Sequence, residues 1–101
     1  MDLPRDAVLV ELRAEALTFR TRECVLPGTE VHFALALEGR PLPLAAPVDA
    51  CLVVERDRAG YTFDVRCDLA ALPPADHQLV ALFIAKGPGS PQLHAPAPVP
   101  R

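Results

Sequence analysis

The chain contains 101 residues, of which 50% are hydrophobic and 23% are charged, and its formal net charge at pH 7 is −3. This length accommodates a single domain, and the aliphatic content is too high for an intrinsically disordered protein. The acidic balance argues against binding of a nucleic-acid polymer, and no apolar run reaches the roughly 18–20 residues that span a bilayer. No signal-peptide pattern follows the first residues, so we expect a cytoplasmic protein without membrane insertion.

Two short strands are predicted near the start of the chain. A period of two in the first strand, residues 8–12, places three side chains on one face: Val8, Val10 and Leu12. The second strand, residues 17–21, directs Leu17 and Phe19 inward and is followed by a Pro-Gly turn signal.

The middle of the chain predicts further strands joined by tight turns. The clearest alternation, in residues 31–37, places four apolar side chains on one face: Val31, Phe33, Leu35 and Leu37. Prolines interrupt residues 42–46, and because proline cannot donate to a sheet ladder, this segment is predicted to be an edge strand or irregular chain. Residues 51–55 and 61–67 are the last predicted strands, with a turn at residues 57–60.

Helical spacing replaces the period of two after these strands. Pro74 suits the first turn of a helix, and Asp76 interacts favourably with the helix dipole there. Lys86 lies in the last turn, and Gly87 ends the helix. Five or six short strands followed by one helix predict a mainly β fold, a small antiparallel β-barrel with one C-terminal α-helix.

This helix carries two adjacent apolar stripes. Leu79, Leu82 and Phe83 lie on one stripe, and Val80 and Ile84 lie on the other. Because a helix with two apolar stripes needs more than one partner surface, we predict that the barrel covers one stripe and that a loop, a second copy of the chain or a protein partner covers the other. The predicted interface consists of Val80, Phe83 and Ile84.

The composition divides the chain at the end of the helix. Residues 1–86 are predicted to form the barrel and its helix. Residues 87–101 contain five of the 12 prolines and no apolar core of their own. They are predicted to form a disordered, proline-rich tail.

Residues suited to catalysis do not form a recognisable set. The one serine, Ser90, lies in a segment rich in glycine and proline that cannot hold a rigid nucleophile. The cysteines, Cys24, Cys51 and Cys67, are widely spaced, and no CxxC pair or phosphate-binding glycine loop is present. We therefore predict no enzyme activity, no metal and no cofactor, and we interpret Cys51 and Cys67 as small apolar strand residues.

Several arginines lie at outward strand positions or in turns and allow two interpretations. Arg20, Arg22 and Arg66 would form a basic ligand surface if their guanidinium groups were unpaired. The interpretation that we favour is a solvated face of cross-strand ion pairs. The carboxylates expected in those pairs are Asp64, Glu23 and Glu55.

The order of these elements resembles the PilZ domain, over roughly residues 7–86. Four stretches carry the likeness: residues 26–33 around the Pro-Gly turn, 48–54, 58–66 around a Gly-Tyr turn, and 72–85. The resemblance implies a β-barrel fold. The best-known function of that family is to bind the second messenger cyclic di-GMP.

Two motifs bind cyclic di-GMP in the PilZ family, and this chain has neither. One is RxxxR before the first strand, but Arg5 is the only basic residue before Arg13. The other is [DN]x[ST]xxG, and the matching stretch carries Glu11, Arg13 and Ala16 at the three defining positions. Glu11 and Glu15 would also repel a dianionic ligand. We therefore predict a divergent member of the family that no longer binds cyclic di-GMP.

The resemblance implies a non-enzymatic interaction module that binds a protein partner in bacterial signalling, motility or type IV pilus assembly. The alternative is a cyclic-dinucleotide receptor that uses the non-standard surface of Arg20, Arg22 and Arg66. One structural question stays open at this point. If residues 8–12 match the second strand of the family, the barrel has an open edge, and if they are the first strand, the barrel can close.

Overall fold

The computed structural model describes residues 1–37, 39–86 and 91–96. This part of the chain forms six strands and one α-helix: β1 (Val8–Leu12), β2 (Ala16–Thr21), β3 (Glu30–Leu37), β4 (Arg40–Asp57), β5 (Gly60–Asp68), α1 (Pro74–Lys86) and β6 (Gln92–His94). The strands are antiparallel and curl into a nearly closed barrel, so the predicted fold class, a mainly β barrel with a helix, is confirmed.

The strand order explains how the barrel approaches closure. In the sheet the order is β1-β2-β5-β4-β3-β6, and β6 also comes close to β1. Val8–Leu12 is therefore the first strand of the barrel, and the strand beside its outer edge comes from the C-terminal segment. The two edges of the sheet nearly meet, which removes most of the exposed edge that an open sheet would have.

The strand β6 lies in the segment that the sequence predicted to be a disordered tail. Residues 92–94 pair with residues 34–36 of β3, and Leu93 packs against the core. The prediction of a tail without structure is therefore wrong for these three residues, because pairing with a free sheet edge and burial of Leu93 offset the entropy lost on ordering. Residues 87–90 and 97–101 lie outside the described residues.

The long strand β4 has two halves with different neighbours. Residues 40–47 pair with β3, and residues 48–57 pair with β5 on the other side. Val48 donates its N–H to Thr29 on the β3 side, so the nitrogens of odd-numbered residues in the first half point away from β3. Three prolines occupy odd positions there: Pro41, Pro43 and Pro47. The missing N–H groups of these prolines therefore remove no hydrogen bond between β4 and β3. The edge-strand prediction for residues 42–46 is confirmed.

The strand β1 presents a different face to the core from the one predicted. Val8 is 63% exposed and Val10 is also exposed, whereas Leu9 and Leu12 pack against the core. A β-bulge between Leu9 and Glu11 is the cause, because Val10 is an extra residue that has no partner on β2. The prediction that Val8, Val10 and Leu12 share one face is therefore wrong.

The remaining strands bury the faces that their alternation predicted. On β2 and β3, the buried side chains include Leu17, Phe19, Val31, Phe33 and Leu35. On β5 they are Val65 and Cys67. Tyr61, near the start of β5, is exposed because the end of the β4–β5 hairpin extends beyond the core.

The helix α1 has the bounds that the sequence predicted. A single 3-10 turn, Leu69–Ala71, leads into it, and the Asp68 side chain caps this turn by accepting the Ala70 N–H. The helix is fixed to the barrel by Val80, which is fully buried, and by the His77 Nε2, which lies 2.8 Å from a backbone carbonyl oxygen in the β1–β2 turn. No helix in the described ranges is long and apolar enough to cross a lipid bilayer.

Candidate functional site

A groove of about 410 Å³ lies between α1 and the neighbouring ends of β3 and β4. Its apolar lining is contributed by both sides: Leu37, Pro41, Leu42, Leu79, Leu82 and Phe83. Among the described residues, the lining includes two charged side chains, and both are cationic: Arg40 from the start of β4 and Lys86 from the last turn of α1. We call this surface the helix groove.

The helical spacing decides which apolar side chains reach the helix groove. Leu79 and Leu82 are three residues apart, share one face, and are 51% and 53% exposed. Val80, on the adjacent stripe, is buried in the core, and Ile84 packs against that core. Of the three residues predicted as a partner interface, only Phe83 lines the groove. The surface available to a partner is therefore the stripe of Leu79, Leu82 and Phe83.

The charge of the helix groove differs from that of the whole chain. The formal net charge of the chain is −3, yet the two charged side chains that line the groove within the described ranges are positive. A contiguous apolar surface bordered by charges of one sign is typical of a binding site. This groove is therefore complementary to a segment that presents apolar side chains flanked by carboxylates.

Each arginine of the predicted ligand surface binds an aspartate. Arg20 donates from Nε and Nη2 to the two carboxylate oxygens of Asp64, at 2.8 and 3.2 Å, and the two residues lie directly opposite each other on β2 and β5. Asp64 is the partner that the sequence predicted. Hydrogen bonding to Asp64 raises the pKa of Arg20, so this guanidinium stays charged.

The other two arginines have partners that the sequence did not predict. Arg22 donates from Nη2 to Asp57 at 2.7 Å, and Arg66 donates from Nε to Asp49 at 2.8 Å. The hydrogen bond from Arg22 lowers the pKa of Asp57. Each of the three arginines therefore has its charge offset locally by an aspartate.

Residues 11–16, at the β1–β2 turn, line part of a second cleft of about 330 Å³. Arg13 forms an ion pair with Glu11, and Arg66, on the same cleft, is bound to Asp49. Glu15 adds another carboxylate to the lining. A dianionic ligand in this cleft would therefore meet carboxylates, together with arginines that are already paired with carboxylates.

A nearly buried hydroxyl fixes the chain where it leaves β2. Thr21 is 2% exposed, and its hydroxyl donates to Asp6 Oδ1 at 2.6 Å. The Arg22 N–H donates to Asp6 Oδ2 at 2.8 Å, and the Glu23 N–H donates to the Thr21 hydroxyl oxygen at 3.1 Å. The bond from Thr21 is the main reason that the pKa of Asp6 is lowered, so this junction is strongest above the ordinary pKa of an aspartate.

The three cysteines lie in different environments. Cys24 is exposed, Cys51 is half-buried on β4, and Cys67 is buried on β5, where burial raises the pKa of its thiol to about 12. The strand positions expected for Cys51 and Cys67 are confirmed. His32 lies on the surface 3.2 Å from Glu30, and the described ranges contain no group of three or more His, Cys, Asp or Glu side chains that could hold a metal ion.

Comparisons with known protein families, curated proteins and solved structures find no match for this chain. Among the lining residues of the helix groove, only Phe83 belongs to the interface predicted from the sequence. The prediction placed Leu79 and Leu82 on an apolar stripe without assigning them to the interface, and it missed the strand residues Leu37, Arg40, Pro41 and Leu42. The ends of a hairpin carry no local signal that a helix from later in the chain will pack beside them.

Proposed function

We propose that this protein is a non-enzymatic interaction module, a PilZ-like barrel that binds a protein partner through the helix groove. The observation that carries the proposal is the pair of half-exposed leucines, Leu79 and Leu82, in an apolar groove bordered by two cations. Burying such side chains against a partner removes apolar surface from water, which is the main favourable term in most protein associations. The cytoplasmic, signalling and motility roles implied by the resemblance stay predictions.

The chemistry of the groove specifies the kind of partner. The best fit is an amphipathic segment that inserts apolar side chains and places Asp or Glu beside Arg40 and Lys86. A second copy of the chain would bring the same two cations to the contact. We therefore favour a different, acidic protein over a homodimer.

Replacing Leu82 with aspartate is expected to weaken partner binding at least about tenfold, because a carboxylate in the groove loses apolar contact and repels an acidic partner. The partner is first captured in cells by a photoreactive phenylalanine analogue at position 79, identified by mass spectrometry, and purified. Binding of the wild-type chain and the variants is then measured by titration calorimetry.

Leu52→Asp is the matched control, since Leu52 is 63% exposed on β4 and lies outside the groove. It should bind the partner as the wild type does. Equal affinity of the wild type and Leu82→Asp would contradict the proposal, as would equal losses in both variants. Capture of a second copy of the chain alone would replace the acidic partner with a homodimer.

Calorimetry with cyclic di-GMP is expected to show no binding up to about 100 μM, a limit weaker than a micromolar dissociation constant. The support for this expectation is that Arg20, Arg22 and Arg66 are each bound to an aspartate. Micromolar or tighter binding would contradict it. If Arg20→Glu with Arg22→Glu then abolished that binding, the alternative receptor surface would be established.

A further inference from the structure

The strands that border the helix groove leave one side free for an added strand. The outer edge of β3 is occupied, because residues 34–36 pair with β6 and His32 forms backbone hydrogen bonds with the first three residues of the chain. The other side of β3 pairs with residues 40–47 of β4, and β5 pairs only with residues 48–57. Within the described residues, the side of 40–47 that faces away from β3 therefore has no strand neighbour.

Prolines remove the backbone donors from this free side at the groove. A residue of an antiparallel strand directs its N–H and C=O to the same side, so these groups of the odd-numbered residues in this half of β4 point away from β3. Pro41, Pro43 and Pro47 occupy odd positions, and the first two are exposed. The fourth odd residue, Ala45, does not line the groove. Because proline has no N–H, the β4 edge at the groove offers carbonyl oxygens and no donors.

An edge of carbonyl oxygens is a poor template for an added strand. A strand that joins a sheet donates and accepts hydrogen bonds in turn along the shared edge. Beside Pro41 and Pro43 the N–H groups of such a strand would find acceptors, but its carbonyl oxygens would find no donor. A buried polar group without a partner weakens binding, and edge prolines are one of the devices that prevent strand pairing.

An α-helix makes no such demand on the groove, because its backbone N–H and C=O groups bond to each other. The exposed stripe of α1 that begins at Leu79 and includes Leu82 reaches Lys86 at the end of the helix. Seven residues of a helix rise about 10 Å, which is about two turns. A partner helix that lies along this stripe would place apolar side chains against it at helical spacing, such as i, i+3 or i+4, and i+7.

We infer that the helix groove receives an amphipathic α-helix of an acidic partner protein, and that Pro41 and Pro43 exclude an extended strand from it. The inference rests on the proposed function, because it names the conformation of the segment that the groove binds. Carboxylates beside the apolar stripe of that helix pair with Arg40 and Lys86. The two prolines act on specificity, since a strand loses hydrogen bonds beside them and a helix does not.

Two synthetic peptides labelled with fluorescein are the probes, and both carry the same numbers of apolar and acidic residues. The helical peptide has leucines at helical spacing among alanine and glutamate, and the alternating peptide has valine at every second position between glutamate and threonine. Fluorescence anisotropy should show that the wild-type chain binds the helical peptide at least about tenfold more tightly than the alternating one. Leu82→Asp should bind the helical peptide at least about tenfold more weakly than the wild type does.

The variant with both Pro41→Ala and Pro43→Ala should bind the alternating peptide at least about fivefold more tightly than the wild type, because each alanine restores a backbone donor. Pro43→Ala alone, which leaves the groove lining intact, should change this affinity in the same direction. Pro47→Ala is the matched control, since it restores a donor on the same side of β4 outside the groove. It should bind both peptides as the wild type does, and circular dichroism checks the fold of every variant.

Equal or tighter binding of the alternating peptide by the wild type would overturn the inference. If Leu82→Asp weakened that binding, the proposed function would stand with a strand in the groove. A wild-type affinity for the alternating peptide in both proline variants would overturn the role of Pro41 and Pro43. Binding of neither peptide up to about 1 mM, or binding that does not depend on Leu82, would overturn the proposed function and the inference with it.

Discussion

Replacing Val80 with aspartate is expected to unfold the protein, although the change lies on the same helix as the exposed groove residues. Val80 is fully buried between α1 and the barrel. A carboxyl group there has no partner, and burying it costs several kcal/mol, a large share of the roughly 5–15 kcal/mol that stabilises a typical domain. Loss of the β signal in circular dichroism and loss of a cooperative urea transition would show it.

Leu82→Asp is the control for this prediction, because Leu82 is about half exposed. It should change the free energy of unfolding by only about 0.5–1 kcal/mol, mainly through the lower helix propensity of aspartate. A cooperative Val80→Asp variant with a midpoint near that of the wild type would mean that α1 does not dock as described. For the same reason Val80 variants cannot test partner binding, whereas Leu82 variants can.

The stability of the reduced protein is expected to fall as the pH rises from about 9 to about 12, with Cys67 as a major cause. Burial raises the pKa of this thiol from 9.0 to about 12 in the folded chain. Above pH 9 the unfolded chain therefore loses a proton that the folded chain retains, and each pH unit favours unfolding by about 1.4 kcal/mol. In total the free energy of unfolding falls by an amount of the order of 4 kcal/mol. The fall is complete once the pH exceeds the pKa of Cys67 in the folded chain.

Urea unfolding of the reduced protein between pH 8 and about 10.5 measures this slope. Cys67→Ala should be less stable at pH 8 because of the cavity, but its stability should fall less steeply with pH. Cys24→Ala, at an exposed site, should retain the wild-type slope. Identical slopes for the wild type and Cys67→Ala would show that Cys67 ionises as easily when folded as when unfolded.

An alternation of apolar and polar residues predicts a strand and its buried face only where the hydrogen bonds between the strands are regular. In β3 the period of two holds from Val31 to Leu35, and the predicted inward side chains are buried. In β1 nearly every residue is apolar. The bulge at Val10 changes which side chains face the core, and the hydrophobic pattern of the sequence does not show it. The prolines of β4 were informative because their missing N–H restricts them to a free side of a strand.

Features that depend on distant pairing could not be predicted in the same way. The strand β6 is three residues long and lies among prolines, and it forms because β3 offers an edge. The helix groove depends on where α1 docks against the ends of β3 and β4. Residue spacing along the chain carries no information about such contacts.

Because the two halves of β4 pair with different neighbours, this one strand belongs to both sides of the barrel. One side of the barrel is β1-β2-β5 with the second half of β4, and the other is the first half of β4 with β3 and β6. Along the chain these sides are interleaved, since β3 follows β2 and β5 precedes β6. Neither side is a contiguous piece of polypeptide that could be excised or inherited alone. We therefore expect the two sides to fold and unfold together, as one cooperative unit.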